Sequence, residues 1–286
     1  MIQRQRPLLS RGLQQQRGIT LVELMIAGVL ALVISYFAMS IMMTSSQTAS
    51  RSNGQAQAQE SGRFVLSWLH TEARRAGYNS NISADRVQPF ASACAAGSAM
   101  PPAVGGNCSF NSDDAANSDR LALQRTYSTS SGNARDGQDC TGVDLSTNAA
   151  LTNDETVLTD VYWVVRDNGN DGDAYDDVLR CVTYDDSGVI VAPAQTIASG
   201  VEGLQILYAE GSSSDNRAIT RYVRASDISD MSNVSAVRIS VLTRSWAENA
   251  SGEEQRSYVL LDAAPYTFTD GVARQIMTTT VALANF

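Results

Sequence analysis

The chain has 286 residues, with 21 basic against 30 acidic side chains, a formal net charge of −9 and 43% apolar residues, a composition typical of a folded protein. All of its basic residues are Arg, which excludes lysine nucleophiles and lysine-dependent phosphate loops. The acidic balance argues against direct binding of nucleic acid, and the single His excludes His-rich metal sites.

An apolar segment follows a basic N-terminus. Residues 1–18 carry four Arg and no acid, and within the apolar stretch 19–43 the positions 24–43 contain no charge. As a helix, these positions span about 30 Å, the thickness of one bilayer core. Because the positive charge precedes the span, we expect a single-pass anchor in the inner membrane, with a cytoplasmic N-terminus and a periplasmic remainder. A plain signal anchor is the alternative.

Two residues distinguish this segment from a plain anchor. Gly18 precedes the apolar run, and Glu23 lies inside it, where an ionised carboxylate is costly. The sequence GITLVE (18–23) resembles the prepilin motif of type IV pilins and of type II secretion pseudopilins. The resemblance implies that residues 1–18 are a leader peptide, which a prepilin peptidase removes between Gly18 and Ile19. It further implies N-methylation of Ile19 and a role of Glu23 in assembly, where its carboxylate would pair with the α-amine of a neighbouring subunit.

Residues 44–77 are predicted to form an amphipathic stalk helix. Gly54 and Gly62 each weaken a helix by about 1 kcal/mol relative to Ala, so we expect bending or local melting around them. Gly77 is expected to close the helix. The apolar residues recur at three- and four-residue spacing and predict a face that packs on a globular head; they are Phe64, Val65, Trp68, Leu69, Ala73 and Ala76.

Residues 78–286 are predicted to form a β-rich periplasmic head. The fold class is therefore α+β, with a long N-terminal hydrophobic helix packed on an antiparallel, pilin-like β-sheet head. The predicted strands cover 119–127, 157–166, 178–185, 195–210, 218–225, 233–246, 255–262 and 273–286.

Four cysteines lie in this head, and outside the cytoplasm they are expected to form disulfides. Three pairings are possible, of which Cys94–Cys108 and Cys140–Cys181 are favoured. A four-cysteine zinc site is the competing interpretation, although no Cys-x-x-Cys pair is present.

An Asp-rich stretch, 167–177, matches an EF-hand loop at some positions and departs from it at others. Two interpretations of this stretch are left, a solvated hairpin loop and a Ca²⁺-binding loop. No other cofactor is expected. If Ca²⁺ binds, the expected ligands are Asp167, Asp171 and Asp173, with Asp176 or Asp177 completing the shell.

The later head also resembles a known subfamily. The segments IASGVEGLQILYAE (197–210), SNVSAVRISVLTRS (232–245) and RQIMTTTVALAN (274–285) are similar to PilW-type minor pilins of the type IV pilus. The resemblance implies a structural protein, not an enzyme, that joins other minor pilins and the major pilin to prime pilus assembly. It also implies support of a PilY-type tip adhesin and a final place in the fibre at the cell surface. Because this chain has Glu23, whose carboxylate can accept the amine of another subunit, we expect it to lie below the extreme tip of the pilus.

Two alternatives to this role stay open. A minor pseudopilin of a type II secretion system shares the N-terminal motif. A signal-anchored periplasmic enzyme or binding protein would not need Glu23, and no catalytic motif that we recognise supports an enzyme.

Overall fold

The protein is described by a computed structural model. The described residues are 18–79, 87–91, 109, 118–128, 137–146, 148, 151, 155–166, 177–212, 215–228, 230–246 and 254–284. The chain divides into two compact units, Met1–Thr48 and Ala49–Phe286.

The first unit contains the N-terminal part of a single long helix, α1 (Leu21–Arg75). An 18-residue window of this helix has a mean hydropathy of 2.3, and none of the window is buried. Large apolar side chains are exposed all around it, which distinguishes it from a surface helix with one apolar face. This part of α1 is long and apolar enough to cross a membrane.

In the second unit, residues 49–75 of α1 bury one face. The helix is unbroken through Gly54 and Gly62, so the local melting expected there is wrong. Both glycines are buried, and at Gly62 a Cβ would lie 2.7 Å from Met277 Sδ, so the packing there needs a residue without a side chain. The predicted apolar face is present, although Phe64 is 49% exposed. The buried helical residues recur every three or four positions; they are Gly54, Ala58, Gly62, Val65, Leu66, Leu69, Glu72 and Ala73.

In the described part of the chain, ten strands follow the helix, and every pairing between them is antiparallel. They are β1 (Leu121–Ser128), β2 (Glu155–Val165), β3 (Val178–Tyr184), β4 (Ile190–Ser199), β5 (Val201–Ser212), β6 (Asp215–Val223), β7 (Val234–Arg244), β8 (Glu254–Tyr258), β9 (Tyr266–Asp270) and β10 (Arg274–Ala282). The first sheet has the order β1-β2-β3-β4 and the second β10-β7-β5-β6, while β8 and β9 form a hairpin. The α+β class predicted from the sequence is confirmed.

The segment 195–210, predicted as one strand, is two strands in different sheets. The chain turns at Gly200, whose φ of +74° favours glycine. A Cβ at this position would also lie 3.1 Å from the carbonyl oxygen of Arg244. Strand β9 was not predicted, and β4 begins earlier than expected.

The main core lies where α1 meets both sheets. Val65, Leu69 and Ala73 of the helix pack there with side chains from the first and second sheets. Phe90 stands edge-on to Tyr208 of β5, with ring centroids 5.1 Å apart. The head is thus built around the C-terminal part of α1.

Candidate assembly site

Helix α1 begins directly after the predicted cleavage site. The Thr20 hydroxyl accepts a 3.3 Å hydrogen bond from the Glu23 N–H, and the Thr20 carbonyl accepts the bond from Leu24 N–H at 3.2 Å. Thr20 is therefore the N-cap residue of α1, and Glu23 is the third residue of its first turn. This cap was not predicted, although Thr-x-x-Glu before an apolar run is its usual signal in a sequence.

Gly18 and Ile19 lie before the helix and are exposed. Ile19 is 75% exposed, and a Cβ built on Gly18 meets nothing within 4 Å. The peptide bond between them is therefore unobstructed by the described residues. The Glu23 carboxylate is also exposed, at the helix end where the macrodipole favours negative charge. An acid in this position can accept a cation from outside the chain.

In the head, Cys140 and Cys181 form a disulfide with an S–S distance of 2.08 Å, which is one of the two pairings that the sequence favours. The bond joins the segment 137–146 to strand β3. Cys94 and Cys108 lie outside the described residues.

A buried polar network supports the same segment. Arg125 forms a 3.0 Å ion pair with Asp160, both side chains being 3% exposed, and its guanidinium also donates to the Gln138 carbonyl. The Thr183 hydroxyl donates to Asp160 at 2.7 Å and accepts from the Cys140 N–H at 3.1 Å. The disulfide and this network together fix the segment against the first sheet.

Glu72 and Arg75 of α1 form a 2.8 Å ion pair beneath a small cleft of about 140 Å³. Burial raises the pKa of Glu72, and the charge of Asp160 adds to this, against the lowering effect of Arg75. Burial also raises the pKa of Tyr162 well above its ordinary value. The ion pair lies within the helix, close to Asp160 and Tyr162 of the first sheet, and these groups show no arrangement for catalysis.

A second cleft, of about 460 Å³, also has Phe64 in its wall. Its walls include Glu60 of the helix, Ser199 at the end of β4 and the half-exposed Trp246. The cleft is open to solvent and holds no cluster of titratable groups that would indicate chemistry.

Of the five predicted Ca²⁺ ligands, Asp177 alone lies among the described residues. Its carboxylate accepts a 3.3 Å hydrogen bond from Arg244, an ion pair within the head. Burial and the neighbouring Glu202 raise the pKa of Asp177, while Arg244 opposes the shift. Asp167, Asp171, Asp173 and Asp176 lie outside the described residues, so the Ca²⁺ loop stays a prediction. No group of three or more potential metal ligands occurs in the described part of the chain.

A charge cluster that was not predicted from the sequence lies next to Asp177. Arg274 of β10 contacts Glu202 of β5 at 2.6 Å and Asp270 of β9 at 2.7 Å, and its guanidinium lies 3.6 Å from the centroid of the Phe268 ring. Arg244 approaches Glu202 at 3.7 Å. Asp270 and Arg274 are four residues apart, whereas Glu202 is distant in sequence and meets them only through the strand order of the second sheet.

The comparisons with known proteins bear on the head. Residues 161–285 match the family model of type IV pilus-assembly protein W. The match supports a PilW-type minor pilin and hence a pilus-related role. No curated protein matches the chain. Among solved structures, a type IV-like pilin from Thermus thermophilus is similar with 15% identity and a TM-score of 0.42, over 79% of this chain and 95% of that one.

The PilW-type match and the apolar helix together support membrane anchoring and association with other pilus components. The match begins inside β2 and ends after β10, so it includes the whole second sheet. The N-terminal motif lies outside the matched residues and is an independent observation.

Proposed function

We propose that this chain is a minor pilin, a structural subunit that helps to prime type IV pilus assembly and belongs to the complex at the pilus tip. One observation carries the proposal. Glu23 lies in the first turn of an apolar helix that begins two residues after the exposed Gly18–Ile19 bond. A head that matches a pilus-assembly family follows the same helix.

Cleavage between Gly18 and Ile19 by a prepilin peptidase would create an α-amine with an unperturbed pKa near 8. Methylation of Ile19 leaves this amine basic. A carboxylate in an apolar helix bundle is costly unless a cation pairs with it. The Glu23 carboxylate therefore accepts the amine of a neighbouring subunit, and this contact fixes the axial position of one subunit relative to the next.

Before assembly, residues 19–43 hold the subunit in the inner membrane, with the leader in the cytoplasm and the head in the periplasm. The exposed apolar side chains of this segment need either lipid or other helices around them. Assembly replaces the lipid by the helices of other minor pilins and of the major pilin. A PilY-type adhesin is the expected partner at the tip.

Loss of the four leader Arg leaves 17 basic against 30 acidic residues. The mature subunit is thus strongly acidic and is not expected to bind nucleic acid directly. Its contacts with other subunits are expected to depend on apolar surface, backbone pairing and individual Arg residues.

The intact mass of the protein from its native membrane tests the proposal. We expect the loss of residues 1–18 and the addition of one methyl group at Ile19. A mass equal to the whole chain would contradict processing and would leave a plain signal anchor. A Gly18→Leu variant, which is expected to keep its leader, is the matched control for the cleavage assignment.

A minor pseudopilin of type II secretion would give the same mass, because it shares the N-terminal motif. Deletion of the gene distinguishes the two. We expect loss of pili with normal export of secreted proteins; loss of export with intact pili would favour the pseudopilin.

A further inference from the structure

The second sheet of the head ends at strand β10, which is paired along one side. Just beyond the two ends of this strand, the Ser245 N–H donates to the Ala273 carbonyl and the Leu283 N–H donates to the Ser235 carbonyl, both at 2.9 Å. Successive residues of an antiparallel strand direct their backbone groups to opposite sides. The odd-numbered residues of β10 therefore bond to β7.

The even-numbered residues direct their backbone groups away from β7. In the central part of β10 these are Ile276, Thr278 and Thr280, of which the two threonines are exposed. Within the described residues, no strand pairs with this side of β10. The outer edge of β10 thus offers a row of backbone donors and acceptors to another strand.

The outer edge of β1 shows how the same protein covers an edge. The Gln124 N–H donates to the Pro89 carbonyl at 3.0 Å, and the Gly77 N–H donates to the Gln124 carbonyl at 2.8 Å. One step further along, the Thr126 N–H donates to the Tyr78 carbonyl at 2.9 Å. Segments before β1 in the chain therefore use the backbone groups of this edge.

The other edges are protected in different ways. Strand β4 contains Pro193 and has three register shifts against β3, while β6 has two register shifts against β5 and carries the exposed Arg221. The hairpin strands β8 and β9 are five residues long, and β8 carries Glu254 and Arg256. Proline, irregular pairing, short length and charge all discourage the addition of a strand.

Strand β10 has none of these protections on its outer edge, because its one charged side chain, Arg274, is buried against Glu202. Its nine residues pair with β7 in one unbroken register, and no residue from Gln275 to Phe286 is charged. We propose that the outer edge of β10 binds an extended strand of another pilus subunit by β-strand addition. The inference rests on the proposed function, because it assigns a surface to the contacts that a minor pilin must make.

The edge suits a different subunit better than a second copy of this chain. Two copies pairing β10 antiparallel would be related by a two-fold axis perpendicular to the sheet. Residues 49–75 of α1 lie on the face of this sheet, with Gly62 against Met277 and Ala58 bonded to Thr243. The axis would reverse the direction of residues 49–75 in one copy relative to the other, whereas subunits of one fibre are expected to share a direction.

The side chains of β10 define the chemistry of the strand that fits. Thr278 and Thr280 are exposed on one face, and Ile276 is half-buried beside them. Cross-strand pairs of β-branched residues are favourable, and an uncharged strand meets no unpaired charge here. The expected partner segment is therefore extended, uncharged and rich in Thr, Val or Ile.

Amide hydrogen exchange on the full-length chain in detergent tests whether the edge is open. We expect rapid exchange at Ile276, Thr278 and Thr280 and slow exchange at Met277 and Thr279, whose N–H groups face β7. Slow exchange at all five would show that the chain covers its own edge and would overturn the inference.

Photo-crosslinking in the native membrane tests the partner. A photoreactive phenylalanine replaces Thr280 on the β10 edge or, as the matched control, Ala218 on the β6 edge. We expect adducts with another pilin subunit from position 280 and not from 218, identified by mass spectrometry. Adducts between two copies of this chain, or equal yields from the two positions, would overturn the inference.

Two edge variants complete the test. Thr278→Pro removes an outward N–H, and Thr280→Lys places a charge on the edge. For these variants the photoreactive phenylalanine replaces Ala282, the next exposed residue on the same edge. We expect either change to lower the adduct yield from this position about tenfold, a change equivalent to about 1.4 kcal/mol. Ala218→Lys should have no effect. Normal adducts in both edge variants, with the leader removed and pili present, would overturn this inference and leave the proposed function intact.

Discussion

Thr243 donates a 2.7 Å hydrogen bond from its hydroxyl to the backbone carbonyl of Ala58, so that β7 is bonded directly to helix α1. One turn further along the helix, a Cβ on Gly62 would lie 2.7 Å from Met277 Sδ and 3.2 Å from Thr243 Oγ1. The absence of a side chain at Gly62 therefore permits this close approach. Gly54 and Ala58 continue the same narrow, buried face.

We expect Gly62→Ala to lower the free energy of unfolding by about 0–2 kcal/mol, because overpacking against Met277 and Thr243 costs about 1–3 kcal/mol and the gain in helix propensity offsets about 1 kcal/mol of this. Thermal unfolding of the full-length chain in detergent measures it. Gly28→Ala is the control, since a Cβ there meets nothing within 4 Å. A more stable Gly62→Ala variant would show that the helix does not pack this closely.

The sequence predicted the main architecture because two physical signals were strong. The apolar run after Gly18 had the length of a membrane span, and the period-two segments of the head gave most strands. The break at Gly200 was missed because its flanking apolar residues continue one pattern, and φ is not visible in a sequence. The glycines of α1 were misjudged because their intrinsic cost was counted without the packing that they permit.

Some residues of the candidate site could likewise be predicted from the sequence, and others could not. Gly18, Ile19 and Glu23 are local in sequence and could be identified from one short motif. The cluster around Arg274 joins β10 to β5, and Glu202 becomes its neighbour only after the second sheet has formed, whereas Asp270 of β9 is four residues from Arg274 in sequence. The sequence alone does not predict that Glu202 joins Asp270 and Arg274 in a cluster, since charged residues at such positions usually face solvent.

We expect Arg274→Met to lower the free energy of unfolding by about 3–5 kcal/mol, because it leaves the Glu202 carboxylate buried without its closest partner. Both side chains of this pair are 2% exposed. Chemical denaturation measures the change. Arg256→Met removes the comparable but exposed pair with Glu254 and should change stability by about 0–1 kcal/mol. Equal losses in the two variants would contradict a special role for the buried pair.

The free energy of unfolding should depend on pH through the titration of Asp177. Its pKa is raised in the folded state, mainly by burial and then by Glu202, so the folded protein binds the proton more tightly than the unfolded chain. The stabilisation from this protonation is therefore present at low pH and is lost as the pH rises from about 4 through the folded pKa. We expect the stability of the native protein relative to Asp177→Asn to fall across this window and then to level off.

For Asp270 we expect a pH dependence of stability with the opposite sign. Hydrogen bonds and charge from Arg274 hold the pKa of Asp270 below its ordinary value, against the effect of burial. Its stabilisation is present above about pH 4 and is lost as the pH falls through the folded pKa. The stability of the native protein relative to Asp270→Asn should therefore rise with pH in the acidic range. Parallel curves for the two variants would contradict both assignments.

Removal of the Cys140–Cys181 disulfide should destabilise the head. Its cysteines are 41 residues apart, and both are buried. We expect the double variant Cys140→Ser, Cys181→Ser to lose about 2–4 kcal/mol, since the bond restricts the unfolded chain. Thermal unfolding gives the loss, and limited proteolysis should show faster cleavage within 137–146. Val143→Ser, an exposed change in the same segment, is the control and should leave both readouts as in the native protein.

The charge of Glu23 and its place in the helix cap can be separated by two variants. Glu23→Gln keeps the side-chain size and the backbone bond to Thr20 but removes the charge that would accept a neighbouring amine. We expect normal leader removal, normal membrane levels and a loss of the subunit from sheared pilus fibres. Thr20→Ala removes the cap at a cost of about 1 kcal/mol and keeps the charge, so incorporation should continue.

Glu60→Gln, the same change at an exposed position further along α1, controls for the substitution itself. Immunoblots of the membrane and fibre fractions measure all three variants. Normal incorporation of Glu23→Gln into the fibres would contradict pairing between the carboxylate and an amine. If only the Thr20→Ala variant is lost from the fibres, the role of the motif is helix capping. The predicted order of incorporation, with Glu23→Gln lowest and Glu60→Gln unchanged, follows from the cost of an unpaired charge within an apolar bundle.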